Sequence, residues 1–123
     1  MNSNTVDLHI PGGESMRLVA RLATVGYIAS AGLTLDEAED MKIAVAEALG
    51  AVGGERLHVQ FSTADGAVEI AVVGDGKGVP REEVESEIAR YVLRSLADEV
   101  EIEENGAGQI GSIRMKKRLS GGA

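Results

Sequence analysis

The sequence has no cysteine among its 123 residues and no apolar run of about 18 residues, the length that a membrane span requires. A disulfide framework is therefore excluded, and no transmembrane helix is predicted. The start of the chain also lacks the basic segment and apolar stretch of a signal peptide. These absences favour a cytoplasmic protein with no membrane partner.

Aromatic and basic residues are scarce as well. One phenylalanine, two tyrosines and no tryptophan leave little aromatic surface for stacking bases or sugars. Twelve Lys and Arg residues against 20 Asp and Glu residues give a net charge of -8, which repels a phosphate backbone. The composition argues against nucleic acid and favours a protein or a small molecule as partner.

The distribution of histidine argues against a metal site. His9 lies in an alternating segment and faces away from the apolar side chains of Val6, Leu8 and Ile10. With no second histidine nearby and no cysteine in the chain, we interpret His9 as a solvated residue rather than a metal ligand.

The apolar patterns predict the order strand, helix, helix, two strands, helix, two strands. This order indicates an α+β fold: a two-layer sandwich in which helices cover one face of a mixed, mostly antiparallel sheet. The length fits one domain, which we assign to residues 1–119. Residues 120–123 are expected to form a frayed tail.

Apolar residues at helical spacing predict the buried side of each helix. In the first helix, residues 14–31, they are Leu18, Leu22, Val25 and Ile28. The second helix opens with Thr34 and Glu37 in a capping box, and its apolar side consists of Met41, Ala44, Val45, Ala48, Leu49 and Val52. In the third helix the apolar side consists of Val84, Ile88, Tyr91, Val92 and Leu96.

Three stretches in the same order resemble the anti-sigma-factor serine kinases, a family related to the ATP-binding domains of gyrase, MutL and histidine kinases. They are DEAEDMKIAVAEA at 36–48, LRSLADEV at 93–100 and GSIRMKKRL at 111–119. The resemblance implies the histidine-kinase-like ATPase fold over nearly the whole chain. It also implies where in this sequence the nucleotide-binding motifs of the family would lie.

The helix motif of the family is a glutamate followed four residues later by an asparagine. The resemblance implies that this glutamate positions water or the substrate hydroxyl, and that the asparagine holds magnesium against the phosphates. Glu47 stands in the first position, and Ala51 stands in the second. A methyl group offers no oxygen ligand to Mg²⁺, so Glu47 is either a vestigial base or a solvated carboxylate.

The remaining motifs are also altered. Gly74 stands where the family has the aspartate that binds adenine, although Gly76 and Gly78 of that motif are retained. Glu87 and Ala89 stand where the family has two glycines close to the phosphates, and the segment corresponding to the flexible lid is short. The glycine run is better explained as an ordinary turn than as a phosphate-binding loop.

We therefore expect a degenerate member of the family, a regulatory module that binds a protein and uses no cofactor. The resemblance implies a sigma factor or an anti-sigma antagonist as partner, bound by the first helix. The candidate contact residues are Glu14, Arg17, Arg21 and Thr24. Two arginines on a solvated helix are also compatible with no partner at all.

A homodimer is expected through the first strand, because a short strand at a sheet edge invites pairing. Two alternatives stay open. One is an ATP-dependent serine kinase that uses ATP and Mg²⁺, with Glu47 as base and Asp75 near adenine. The other is a dimeric scaffold that keeps only the fold.

Overall fold

The computed structural model describes residues 4–77, 83–106 and 108–120. Its strands are β1 (Val6–Pro11), β2 (Arg56–Ala64), β3 (Ala67–Gly74), β4 (Glu99–Glu104) and β5 (Ile110–Arg118). Its helices are α1 (Glu14–Ala31), α2 (Leu35–Ala51) and α3 (Glu83–Leu96). The order of elements is the one that the sequence predicts.

The five strands form one sheet in the order β1-β2-β3-β5-β4, and every described pair is antiparallel. The α+β class is confirmed, and the parallel component of a mixed sheet is not found among the described strands. A tight turn explains the β2–β3 pair: Asp65 and Gly66 both have positive φ, 54° and 73°, as a two-residue hairpin loop requires. β1 lies at one edge of the sheet, as predicted.

One face of the sheet carries the core and packs against the helices. Alternate residues of β2 and β3 point inward and are fully buried, namely Leu57, Val59, Phe61, Val68, Ile70 and Val72. The opposite face is polar and carries ion pairs across neighbouring strands. Arg114 contacts Glu69 at 2.9 Å and Glu101 at 3.4 Å, and Arg118 contacts Glu99 at 2.8 Å. The helices therefore form a single layer, as the fold class requires.

The outer face of β1 and β2 also carries the two histidines. The rings of His9 and His58 stack with a centroid separation of 4.2 Å, so the expectation that no second histidine lies nearby is wrong. The two histidines lie far apart in the sequence, and only the pairing of β1 with β2 brings them opposite each other. Asp7 contacts His58 at 2.7 Å and accepts a hydrogen bond from Gln60 at 2.9 Å. Among the described residues, no group of three or more His, Cys, Asp or Glu side chains could hold a metal ion.

The start of α2 follows the sequence prediction closely. The Thr34 hydroxyl accepts a hydrogen bond from the Glu37 backbone N–H, and the Glu37 carboxylate accepts one from the Thr34 backbone N–H. Glu37 also accepts hydrogen bonds from the Ser120 hydroxyl and backbone N–H, so the first residue of the predicted tail is held against α2. Residues 121–123 of that tail lie outside the described residues. The Ser120 hydroxyl, followed by the Thr34 N–H, lowers the pKa of Glu37 to about 2. All six residues predicted for the buried side of α2 are buried.

The buried side of α1 differs from the prediction. Ala20, Thr24 and Ile28 face the core, whereas Leu18 and Leu22 are exposed. Small side chains permit close approach of a helix to its neighbours, and Ala20 and Thr24 lie on the side of α1 that packs against the rest of the fold. The larger apolar residues therefore fall on the outer side of the helical layer.

In α3, too, the buried side of the helix differs from the predicted one. Ser86, Ala89 and Leu93 face the core, and Val92 and Leu96 lie at its margin. Val84, Ile88 and Tyr91 are exposed, so their prediction as part of the buried side is wrong. Among the described residues, no helix is both long enough and apolar enough to cross a membrane.

Candidate functional site

Glu47 and Ala51 lie one helical turn apart in α2. Glu47 is partly exposed, and it makes no hydrogen bond or ion pair with another described residue. Ala51 is only 6% exposed and belongs to the hydrophobic core. Arg90, a residue that could have neutralised Glu47, instead pairs with Glu104 at the start of the β4–β5 connection. The position at which the family holds magnesium is thus an apolar contact inside the fold.

Gly74, the position of the adenine-binding aspartate, is crowded by the segment that follows α2. A Cβ atom at Gly74 would lie 2.0 Å from the carbonyl oxygen of Gly53 and 2.8 Å from the Val52 side chain. Contacts below 3 Å to a backbone atom require the backbone to move. The connection between α2 and β2 can therefore pack against β3 in this way only because Gly74 has no side chain.

Asp75, the residue after it, holds the same connection in place. Its carboxylate accepts hydrogen bonds from the backbone N–H groups of Glu55 at 3.0 Å, Arg56 at 3.2 Å and Lys77 at 3.0 Å. These bonds, the one from Lys77 first, lower the pKa of Asp75. Its carboxylate oxygens already have backbone donors, and the alternative that places Asp75 beside adenine would have to compete with them.

The other glycine-motif positions are divided between surface and core. Gly76 has a positive φ of 75° and forms part of the turn after β3, whereas Gly78 lies outside the described residues. Glu87 is exposed on α3, and Ala89 is 1% exposed and packs in the core. Residues 78–82, which precede α3, also lie outside the described residues, so the expectation about the lid stays a prediction.

Three of the four predicted partner-contact residues lie together. Glu14, Arg17 and Arg21 line a groove of about 570 Å³ between α1 and α2, and its floor includes Leu49. Thr24 is buried, and its hydroxyl donates a hydrogen bond to the Ala20 carbonyl oxygen at 2.8 Å. The prediction of Thr24 as a contact residue is therefore corrected, because the helix turns it toward the core.

An exposed apolar stripe runs along α1 beside this groove. Leu18, Leu22 and Val25 are 48%, 63% and 45% exposed, and their spacing places them on one side of the helix. We call these three residues, with Arg21 next to them, the α1 surface. Apolar periodicity alone predicts that Leu18, Leu22 and Val25 face the core, and this prediction is wrong. The smaller residues Ala20 and Thr24, spaced by four, were the available signal for the buried side.

A solved structure of the RsbU and RsbW domains of Rv1364c from Mycobacterium tuberculosis matches 93% of this chain with a TM-score of 0.66. The chain has the histidine-kinase-like ATPase fold of RsbW. Sequence identity to that structure is 18%, so the likeness concerns the fold alone. The chain spans 31% of the length of that neighbour. No protein-family model and no curated protein matches the sequence.

Proposed function

We propose that this chain is a regulatory protein-binding module that captures a sigma factor or an anti-sigma antagonist through α1, without binding Mg-ATP. The observation that carries the proposal is the α1 surface. Three large apolar side chains stand exposed on one side of a helix, next to a groove lined by charged residues. The likeness to the RsbW-type fold supports a role in a sigma-factor pathway.

The chemistry of the α1 surface suits a protein better than a small molecule. Burial of apolar surface contributes roughly 25 cal/mol per Å², so covering Leu18, Leu22 and Val25 would provide a large part of a binding free energy. Arg21 and Glu14 border this apolar stripe and supply charges of both signs at its rim. Apolar centres with a charged rim are typical of helix-mediated recognition between proteins.

The positions of the nucleotide motifs support a function without ATP. Ala51 lies in the core and offers no oxygen to magnesium. An aspartate cannot be accommodated at Gly74 without displacing backbone, and Asp75 already accepts three backbone hydrogen bonds. Glu87 would bring a negative charge toward a polyphosphate near the start of α3.

Binding to purified partners tests the α1 surface. We expect the chain to bind one of the sigma factors or anti-sigma antagonists encoded in the same genome, as measured by titration calorimetry. Leu22→Glu should weaken that binding about tenfold or more, because it places a charge in the buried centre of the interface. Leu35→Glu is the matched control, since Leu35 is exposed at the start of α2, outside the α1 surface. Equal loss in both variants, or binding to no candidate, would contradict the proposal and leave the scaffold alternative.

Thermal unfolding with Mg-ATP tests the second half of the proposal. We expect millimolar Mg-ATP to leave the melting temperature unchanged. A ligand present at 100 times its dissociation constant would add about 2.7 kcal/mol of stability, which is easily detected as a shift of several degrees. A shift of that size that disappears in Glu47→Ala would instead support the ATP-dependent serine kinase.

A further inference from the structure

The turn between β1 and α1 is held by hydrogen bonds on two sides. Gly12 donates its backbone N–H to the carbonyl oxygen of Glu55 at 2.7 Å, which ties the turn to the α2–β2 connection, residues 52–55. Arg17, near the start of α1, donates its Nε–H to the carbonyl oxygen of Gly12 at 2.7 Å. The orientation of the Arg17 side chain therefore depends on where the α2–β2 connection holds Gly12.

Close packing leaves little space on either side of the α2–β2 connection. A Cβ atom at Gly12 would lie 2.2 Å from the carbonyl oxygen of Gly54. On the other side, a Cβ atom at Gly74 would lie 2.0 Å from the carbonyl oxygen of Gly53. The connection thus contacts a glycine on each side, and a displacement at one contact is transmitted to the other because closely packed atoms cannot move independently.

The carboxylate of Asp75 fixes the residue of the connection to which Gly12 is bonded. Its Oδ1 atom accepts hydrogen bonds from the Glu55 and Lys77 backbone N–H groups, both at 3.0 Å. Glu55 therefore bonds Asp75 with its N–H and Gly12 with its carbonyl oxygen. We call this series of hydrogen bonds, which ends at Arg17, the Asp75–Arg17 path.

The path ends in the groove of the proposed partner site. Arg17 lines this groove between α1 and α2, together with Glu14 and Arg21. Arg17 and Arg21 are four residues apart, so their side chains lie on the same side of α1. A guanidinium that is already held in one orientation loses less conformational entropy on binding than one that rotates freely. The hydrogen bond to Gly12 therefore prepares Arg17 for contact with a partner.

We propose that Asp75 is a positioning residue for partner binding. It acts on Arg17 through the Asp75–Arg17 path and does not touch the partner itself. This role rests on the proposed function, because it assigns the groove that Arg17 lines to a protein partner. The loop after β3, to which the resemblance assigns the binding of adenine, thus supports a side chain in the α1 groove.

Hydrogen exchange of the unbound protein tests the path without a partner. In Asp75→Ala, we expect the Gly12 amide and the Arg17 Nε–H to exchange with solvent about tenfold faster, as measured by NMR. The reason is that residue 55 loses a hydrogen bond that fixes it. Asp75→Asn should keep both rates within about threefold of the original, since its carbonyl oxygen can still accept the Glu55 bond.

Two controls show whether the effect follows the path. Asp65→Asn makes the same conservative change in the turn at the other end of β3, so it should leave both rates unchanged. The amide of Val45, in the buried part of α2, should exchange at its original rate in Asp75→Ala. The proposal is overturned if Asp75→Ala leaves Gly12 and Arg17 unchanged. Equal acceleration at Val45 would also overturn it, because the variant would then be destabilised as a whole.

Titration calorimetry with a partner that binds the original protein tests the consequence for binding. Asp75→Ala should weaken binding about threefold to tenfold, as expected for coupling between residues that do not touch the same ligand. Arg17→Lys removes the Nε–H donor, so the double variant Arg17→Lys/Asp75→Ala should bind no more weakly than Arg17→Lys alone. Additive losses in the double variant would show that Asp75 does not act through Arg17, in contradiction to the proposal.

The outcomes for this role and for the proposed function are distinguishable. If no candidate partner binds the original protein, the proposed function fails and this role fails with it. If a partner binds the original protein and Asp75→Ala equally well, only the positioning role is overturned. Faster exchange at Gly12 and Arg17 together with weaker binding supports the role of Asp75.

Discussion

Gly74→Asp is expected to destabilise the fold instead of restoring an adenine contact. The added Cβ would lie 2.0 Å from the Gly53 carbonyl oxygen, and the clash involves backbone that cannot rotate away like a side chain. Overpacking usually costs 1–3 kcal/mol, and a backbone clash of this size belongs at the upper end, so we expect a loss of about 3 kcal/mol or more. Urea denaturation monitored by circular dichroism measures the loss.

Gly53→Ala provides the control in the same contact. A Cβ at Gly53 has no neighbouring atom within 4 Å, so this variant should unfold at nearly the same urea concentration as the original chain. Mg-ATP should stabilise neither variant. If Gly74→Asp were as stable as the original chain and gained stability with Mg-ATP, the account of Gly74 as a packing requirement would be wrong.

Ala51→Asn is expected to lose stability and to gain no affinity for Mg-ATP. The methyl group of Ala51 lies in the core, so an amide there is larger than its space and loses its hydrogen bonds to water. An unsatisfied buried polar group costs about 1–3 kcal/mol, and overpacking adds to it, so we expect a total loss of about 2 kcal/mol or more. Thermal unfolding with and without Mg-ATP measures both effects.

Gly50→Asn is the matched control, because it introduces the same side chain one residue earlier on the exposed side of α2. A Cβ at Gly50 meets no atom within 4 Å, and asparagine is a better helix former than glycine. The control should therefore be as stable as the original chain or slightly more stable. A stable Ala51→Asn variant that binds Mg-ATP would show that only the magnesium ligand was missing, in contradiction to the proposed function.

Gly74→Asp and Ala51→Asn test the same explanation for the loss of the nucleotide-binding motifs. Ala51 and Gly74 are small because the surrounding elements approach closely, one in the core and one at the end of β3. Restoring either motif residue alone therefore conflicts with the present packing. A protein-binding role needs neither position, since the α1 surface lies on the outer side of the helical layer.

Local sequence was sufficient for the element order, the hairpin and the start of α2. Asp65 and Gly66 fix the turn between β2 and β3, because few residue pairs adopt positive φ at adjacent positions. Thr34 and Glu37 fix the first turn of α2 through bonds within four residues. Strict alternation in β2 and β3 fixes which side chains face the core, since a strand has only two faces.

Tertiary structure alone decided which side of α1 and α3 is buried. The apolar arc of each helix is wider than the side that packs, so periodicity gives a range of directions and the neighbouring elements select among them. Thr24 is thereby buried and Leu22 exposed, and Tyr91 is left in water. The contact of Gly74 with the Gly53 backbone joins residues 21 positions apart, which no local pattern reveals. Such long-range contacts arise only when the chain folds, because they depend on where separate elements meet.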